Sequence, residues 1–176
     1  GQCVICGRLY CEQHGTGGRC APCLEALITA MVACYEQAGQ LNEAEAALAG
    51  QAAVPARYHL GRIHALRAEP EPALAELEAV LESRPADPAA RSVAARVLCA
   101  RAAQQAAAGD HLAANDDLRR ALELDPHLPG VRRYLAILEN LNAFAHIERG
   151  ELARAAAAWE EEQHRSPENR RLAHNL

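Results

Sequence analysis

Lysine is absent from this chain of 176 residues, and all 18 basic residues are arginine, which we attribute mainly to coding bias. Aromatic residues are also scarce, at 3% of the sequence with one Trp and one Phe. A chain with so few aromatic residues has to build its core from Ala, Leu and Val. That composition favours closely packed helices over a β-sandwich, which draws on β-branched and aromatic residues.

The sequence also lacks the marks of several functional classes. Its net charge of -5 argues against a nucleic-acid partner, which normally requires a basic field. No apolar run approaches the roughly 18 residues of a membrane helix, and there is no secretory signal pattern. No phosphate-binding loop, nucleophile elbow or zinc-protease motif is present. We therefore expect a non-enzyme that does not insert into membranes over this stretch and, since no initiator Met is present, belongs to a larger protein.

Cysteine is concentrated at the front, where five of the seven Cys lie within the first 23 residues. Together with one His they form three pairs, and in each pair two residues separate the partners. This spacing lets both side chains bind one metal. The alternative is a disulfide cluster, which needs an oxidising compartment for which the sequence gives no sign. The sequence therefore predicts structural Zn²⁺ in a module of residues 1–24 of a cytoplasmic protein. The candidate ligand pairs are Cys3 and Cys6, Cys11 and His14, and Cys20 and Cys23.

How these ligands pair is open from spacing alone. Pro22 favours a helix start, so Cys20 and Cys23 would lie at a helix N-terminus, where the helix dipole stabilises thiolates. One alternative is a single zinc held by Cys3, Cys6, Cys11 and His14.

A resemblance favours one pairing. The run Cys-x2-Cys-Gly-Arg-Leu-Tyr-Cys-x2-His that starts at Cys3 resembles the middle of cross-brace zinc modules such as the B-box, MYND and HIT fingers. The resemblance implies a first zinc bound by Cys3, Cys6, Cys20 and Cys23. It also implies a possible second zinc bound by Cys11 and His14, whose other ligand pair would lie upstream of this chain.

The rest of the chain repeats with a period of 41 residues. Periods of 20 to 50 residues are typical of stacked structural units, which build binding surfaces more often than catalytic centres. Four sets of positions share this spacing: Ala68, Gly109 and Gly150; Ala73, Ala114 and Ala155; Leu77, Leu118 and Trp159; Pro85, Pro126 and Pro167.

The repeated unit resembles the tetratricopeptide repeat, which has small residues where this chain has Gly61 and Ala73, and Pro near its end. The resemblance implies an all-α fold over residues 25–176, a right-handed solenoid of antiparallel helical hairpins behind the zinc module. The family period is 34 residues. We expect the seven added residues to lengthen the first helices of the third and fourth units, near 88–108 and 129–149.

Local signals predict the helix boundaries. Asp87 before Pro88, Ser166 before Pro167, and Pro129 itself should each start a helix. Glycines should end helices in the left-handed conformation at Gly39, Gly109 and Gly150. Trp159 shares its register with Leu77 and Leu118, so we expect it to lie in the core or cap the end of the array rather than contact a ligand.

In the resembled family the first helices line a groove that takes a peptide or a partner helix. Carried over position by position, the groove residues are Tyr58, Arg62, Arg96, Cys99, Asn140 and Phe144. The sequence thus predicts an interaction scaffold or adaptor with a protein or peptide partner, and leaves its oligomeric state open. The alternative is a cytoplasmic regulatory domain of a bacterial membrane protein, because similar Cys-x2-Cys-Gly-Arg boxes precede some rhomboid-type membrane proteases.

Overall fold

The computed structural model describes residues 2, 4, 5, 8, 15, 16 and 19–165. This part of the chain is mostly helical, which confirms the all-α prediction. It divides into two compact units, Gly1–Ala90 and Arg91–Leu176. No helix within the described ranges is both long and apolar enough to cross a bilayer. The boundary predicted at residue 24 stays a prediction, and a single helix runs through it.

The first unit opens with a two-stranded antiparallel ribbon. Strands β1 (Gly15–Thr16) and β2 (Arg19–Cys20) pair so that Gly15 lies opposite Cys20. Four helices follow: α1 (Ala21–Gln37), α2 (Leu41–Leu48), α3 (Val54–Leu66) and α4 (Pro70–Ser83). The first three share one apolar core, formed by Ile28, Val32, Ala44, Leu48, Ala56, Leu60 and Ile63.

Helices α3 and α4 lie close together at Gly61. A Cβ atom added at Gly61 would lie 2.7 Å from Cγ of Leu77 and 3.2 Å from the carbonyl oxygen of Ala73. The positions 41 and 82 residues later hold Ala102 and Ala143, which are fully buried. A small residue at this point of the repeat therefore has a physical cause, because the packed second helix leaves no room for a larger one.

The second unit repeats the pattern with longer first helices. Its helices are α5 (Pro88–Ala107), which starts within the first unit, α6 (His111–Leu124), α7 (Val131–Glu148) and α8 (Leu152–Arg165). Helices α5 and α7 have 20 and 18 residues, against 13 in α3, which confirms the predicted lengthening. The core of this unit is formed by Ala102, Ala114, Leu118, Val131, Leu135 and Leu138.

The same three-residue turn joins four pairs of consecutive helices: α1 to α2, α3 to α4, α5 to α6, and α7 to α8. The N–H of the last turn residue donates to a carbonyl five residues earlier, as in Gln40 to Tyr35 at 2.9 Å and Glu151 to His146 at 2.9 Å. The middle residue is left-handed in all four turns, with φ of 70° at Gly39, 58° at Ala68, 87° at Gly109 and 76° at Gly150. The prediction for the three glycines is confirmed.

Two of the predicted helix starts are tested. Asp87 caps α5 as predicted, since its Oδ1 accepts from the backbone N–H groups of Ala89 and Ala90 at 3.0 Å. The prediction for Pro129 is wrong: α7 begins at Val131, and Gly130 precedes it with φ of 77°. A proline followed by a left-handed glycine is the sequence of a type II turn, and that turn preference prevails over the helix start. Residues 166 and 167 lie outside the described ranges.

Candidate functional site: a cleft in the first unit

A cleft of about 320 Å³ opens in the first unit, lined by α1, α3 and the segment from the end of α4 to the start of α5. Its lining is apolar at Val54, Pro55 and Val80. Tyr58 and Arg62, two of the six predicted groove residues, both lie in its wall. The remaining polar lining comes from Glu25, Thr29, His59, Arg84 and Asp87.

His59 is the buried polar centre of the cleft, with 4% of its surface exposed. Its Nδ1 lies 3.4 Å from an Arg62 nitrogen, and its Nε2 lies 3.3 Å from the Thr29 hydroxyl. Since the guanidinium only donates, Nδ1 has to accept, which leaves the ring proton on Nε2 facing Thr29. Burial first, and the Arg62 charge second, hold the pKa of His59 below its ordinary value. The ring is therefore neutral at pH 7.

The contact between Thr29 and His59 pairs a hydroxyl with an imidazole, but its hydrogen bond runs in the opposite direction to that of a catalytic pair, because here the imidazole donates to the hydroxyl. An activating histidine takes the proton of the hydroxyl and is oriented by an acceptor on its other nitrogen. Here the other nitrogen faces Arg62, a cation that makes the imidazole a weaker base. This arrangement orders the wall of the cleft and does not activate a nucleophile.

Arg62 is fixed from two sides. It forms an ion pair with Glu36 at 3.1 Å, and its Cζ lies 6.0 Å from the centre of the Tyr58 ring. The Tyr58 ring in turn meets the His59 ring edge-on, with centroids 5.3 Å apart. These contacts place an aromatic ring and a guanidinium side by side in defined positions, with little side-chain freedom left to lose on binding.

At the rim of the cleft, Glu25 and Arg84 form a second ion pair at 3.5 Å, and both side chains are nearly half exposed. The pair connects α1 to the end of α4, which are distant in sequence. Sequence reasoning missed this pair and also the role of His59. For His59, the sequence did contain a signal: Tyr58, His59 and Arg62 are close enough along α3 for their side chains to be neighbours on the helix surface. The pair of Glu25 and Arg84 left no such signal, because the two residues are far apart in sequence.

The other four predicted groove residues lie in the second unit. Arg96 is exposed on α5. Cys99 packs against the core of that unit, and burial, followed by the Asp117 charge, raises the pKa of its thiol. A raised pKa disfavours the thiolate, the form of cysteine that reacts and binds metal.

Asn140 and Phe144 both contact Trp159. The Trp159 Nε1 donates to Asn140 Oδ1 at 3.0 Å, and the Phe144 ring meets the indole edge-on at 5.6 Å. Trp159 itself is buried against Ala143, which confirms its expected place in the core. Asn140 therefore serves the packing of α7 on α8, whereas Phe144 remains half exposed.

Two of the six predicted zinc ligands, Cys20 and Cys23, fall within the described residues. Cys20 is buried, ends strand β2 of the ribbon and is the N-cap of α1, and Cys23 lies in the first turn of that helix. This confirms that the pair lies at a helix N-terminus, although α1 begins at Ala21 and Pro22 is its second residue. Cys20 and Cys23 have the two-residue separation of a zinc knuckle.

The complete ligand set stays a prediction. Cys3, Cys6, Cys11 and His14 lie outside the described residues. In the described part of the chain, no group of three or more His, Cys, Asp or Glu side chains is placed to hold a metal.

Neither a protein-family model nor a curated protein matches this sequence. The resemblances to tetratricopeptide repeats and to cross-brace zinc modules therefore stay predictions.

Proposed function

We propose that this chain is a non-catalytic, cytoplasmic interaction scaffold built from tetratricopeptide-like hairpins. Its first-unit cleft binds a peptide or helix of a protein partner. The observation that carries the proposal is the fixed arrangement of Tyr58, His59 and Arg62 in the wall of an open cleft. Ordered aromatic and arginine side chains in a concave site are the residues that contribute most to protein recognition.

The cleft selects for a ligand of mixed character. Val54, Pro55 and Val80 accept an apolar side chain, while Arg62, about one-third exposed, can donate to a carbonyl or carboxylate oxygen. The ion pair of Glu25 and Arg84 adds one charge of each sign at the rim. We therefore expect an extended peptide or helix that presents an apolar residue next to an acceptor group, rather than a uniformly charged one.

The test is selection of a displayed random-peptide library on the immobilised chain, followed by anisotropy measurements with a selected, labelled peptide. Arg62→Ala should weaken binding about tenfold or more, the loss typical of an interface hot spot. Arg57→Ala is the matched control: Arg57 is also on α3, is 39% exposed and pairs with Glu76 at 3.8 Å, but does not line the cleft. Equal losses in the two variants, or no selected peptide, would refute the cleft as the binding site.

The proposal includes a structural Zn²⁺ bound by Cys3, Cys6, Cys20 and Cys23. It would fix the N-terminal segment to the start of α1, since a short segment with few apolar residues needs metal binding to fold. Elemental analysis should find one zinc per chain, lost in a variant with Ser at positions 20 and 23. Cys34→Ser, an exposed position on the same helix, should keep it. If zinc is retained without Cys20 and Cys23, the ligands are instead the alternative set of Cys3, Cys6, Cys11 and His14.

A further inference from the structure

Helix α7 carries a second apolar surface in addition to the face that it buries. Val131, Leu135 and Leu138 pack into the core of the second unit. On the other side lies a stripe that we call the α7 stripe, with side chains 38–49% exposed. It consists of Ile137, Leu141, Phe144 and Ile147. Exposed apolar residues on monomers are normally scattered, so four on one helix face indicate an interaction surface.

The α7 stripe is not a by-product of the repeat. Helix α5 is the equivalent helix 41 residues earlier, and it exposes Arg96, Ala100 and Ala103 at the positions of Ile137, Leu141 and Phe144. Helices α5 and α7 bury residues at equivalent positions of the repeat but differ in the residues that they expose. The large apolar side chains therefore belong to a feature that α7 alone requires.

Opposite charges bracket the stripe on the same helix face. Arg133 lies one turn before Ile137, and Glu148 lies one turn after Phe144, with both side chains exposed. At 1.5 Å per residue they are about 22 Å apart along the helix axis. The helix thus presents a positive end, an apolar middle and a negative end.

The pattern is symmetric about the midpoint between Asn140 and Leu141. Arg133 and Glu148 are equidistant from that point, and so are Ile137 and Phe144. Tyr134, which is partly buried against the core of the second unit, and Ile147 are also equidistant from it. When two copies of α7 lie antiparallel about a two-fold axis through this point, Arg133 faces Glu148 of the other copy and Ile137 faces its Phe144. A surface that complements itself in this way is what a closed two-fold dimer requires.

We infer that the α7 stripe is a homodimer interface in which two copies of this chain pair their α7 helices antiparallel. The arrangement covers the apolar side chains, places each Arg133 beside a Glu148 and sets the helix dipoles antiparallel. A single helix pair covers less than the roughly 800 Å² per partner of a standard interface, so the dimer is expected to dissociate in the micromolar range or weaker. This inference concerns the second unit and is independent of peptide binding in the cleft.

The test is sedimentation equilibrium of the full 176-residue chain over a wide concentration range, without chelator; a dimer bridged by zinc would be insensitive to the substitution at Leu141 described next. We expect the mass to rise with concentration from 18.9 kDa toward twice that value. Leu141→Glu should raise the dimer dissociation constant at least about tenfold, because it places a charge in the apolar middle. Leu112→Glu is the matched control on α6, since Leu112 is a highly exposed leucine outside the stripe.

A charge exchange tests the antiparallel register. Arg133→Glu and Glu148→Arg should each weaken the dimer about three- to tenfold, since each sets like charges face to face twice. The variant that carries both changes should return to within about twofold of the original dissociation constant. A chain that stays monomeric at all concentrations, a dimer insensitive to Leu141→Glu, or an exchange that fails to restore it would overturn the inference.

Discussion

Substitution of the turn residue Ala68 tests whether the left-handed turn between paired helices is a fixed feature of the repeat. Ala68 occupies the position held by Gly39, Gly109 and Gly150 in the other three turns, and its φ is 58°. Among the described residues it is the only non-glycine with positive φ. The left-handed conformation brings Cβ too close to the following carbonyl oxygen, so Ala68 should carry strain that a glycine would remove.

The magnitude follows from two opposing terms. Relief of the left-handed strain contributes about 1–2 kcal/mol to the free energy of unfolding. Glycine gives the unfolded chain more freedom, which costs about 0.4–1 kcal/mol. The expected result for Ala68→Gly is a net stabilisation of about 1 kcal/mol, measured by urea unfolding followed by far-UV circular dichroism.

The reverse substitutions serve as controls. At Gly109 and Gly150 an added Cβ would meet nothing within 4 Å, so a change to Ala tests backbone conformation without a steric clash. Each should destabilise by about 1 kcal/mol, and the fluorescence of Trp159, the lone tryptophan, reports on their unit directly. If Ala68→Gly instead loses about 1 kcal/mol, as in an ordinary helix interior, the left-handed turn at this position is refuted.

Three further predictions concern packing, charge and pH. Gly61→Ala should destabilise by about 1–2 kcal/mol in urea, because the clash with Leu77 exceeds the gain in helix propensity; a more stable variant would contradict the close approach. Asp117 is buried and binds Arg101 through two bonds of 2.6 and 2.7 Å, so Asp117→Asn should cost about 2–3 kcal/mol, discounted because Arg101 is a quarter exposed. Trp159 fluorescence during urea unfolding would measure this loss of stability, and an unchanged free energy of unfolding would contradict the buried ion pair. Since the pKa of His59 is lower in the folded state than in the unfolded one, the unfolded chain binds more protons below about pH 6.5. Stability should therefore fall as pH drops through that range, and a slope unchanged in His59→Gln would exclude His59 as its source.

The repeating parts of the fold were accessible from sequence because they rest on backbone constraints. A helix that ends in a left-handed residue and a helix pair that meets at a small residue each require particular residue types. Gly109 and Gly150 therefore recur at fixed spacing and predict the turns, and Gly61 was predicted as a small packing residue; Ala102 and Ala143 were not predicted. Ala68 shows that spacing can indicate a left-handed position even where glycine is missing.

The cleft was accessible only in part. Tyr58 and Arg62 were placed by resemblance, but the role of His59 depends on Thr29, which lies thirty residues away on another helix. The rim pair of Glu25 and Arg84 likewise joins distant elements. Such contacts depend on how helices pack and on side-chain rotamers, neither of which leaves a periodic trace in one sequence.

The α7 stripe illustrates a different limit, which concerns burial rather than contact. Apolar residues lie on more than one face of α7, so periodicity alone does not separate its buried face from its exposed one. Only the exposure of Leu141 and Phe144 shows that one face is uncovered. Comparison with α5 then isolates the cause, because the same register there carries Arg96 and small alanines. The repeats therefore serve as references for one another. Where one copy departs from the others at exposed positions, packing within the described part of the chain does not explain the departure, and binding is the simplest physical reason for it.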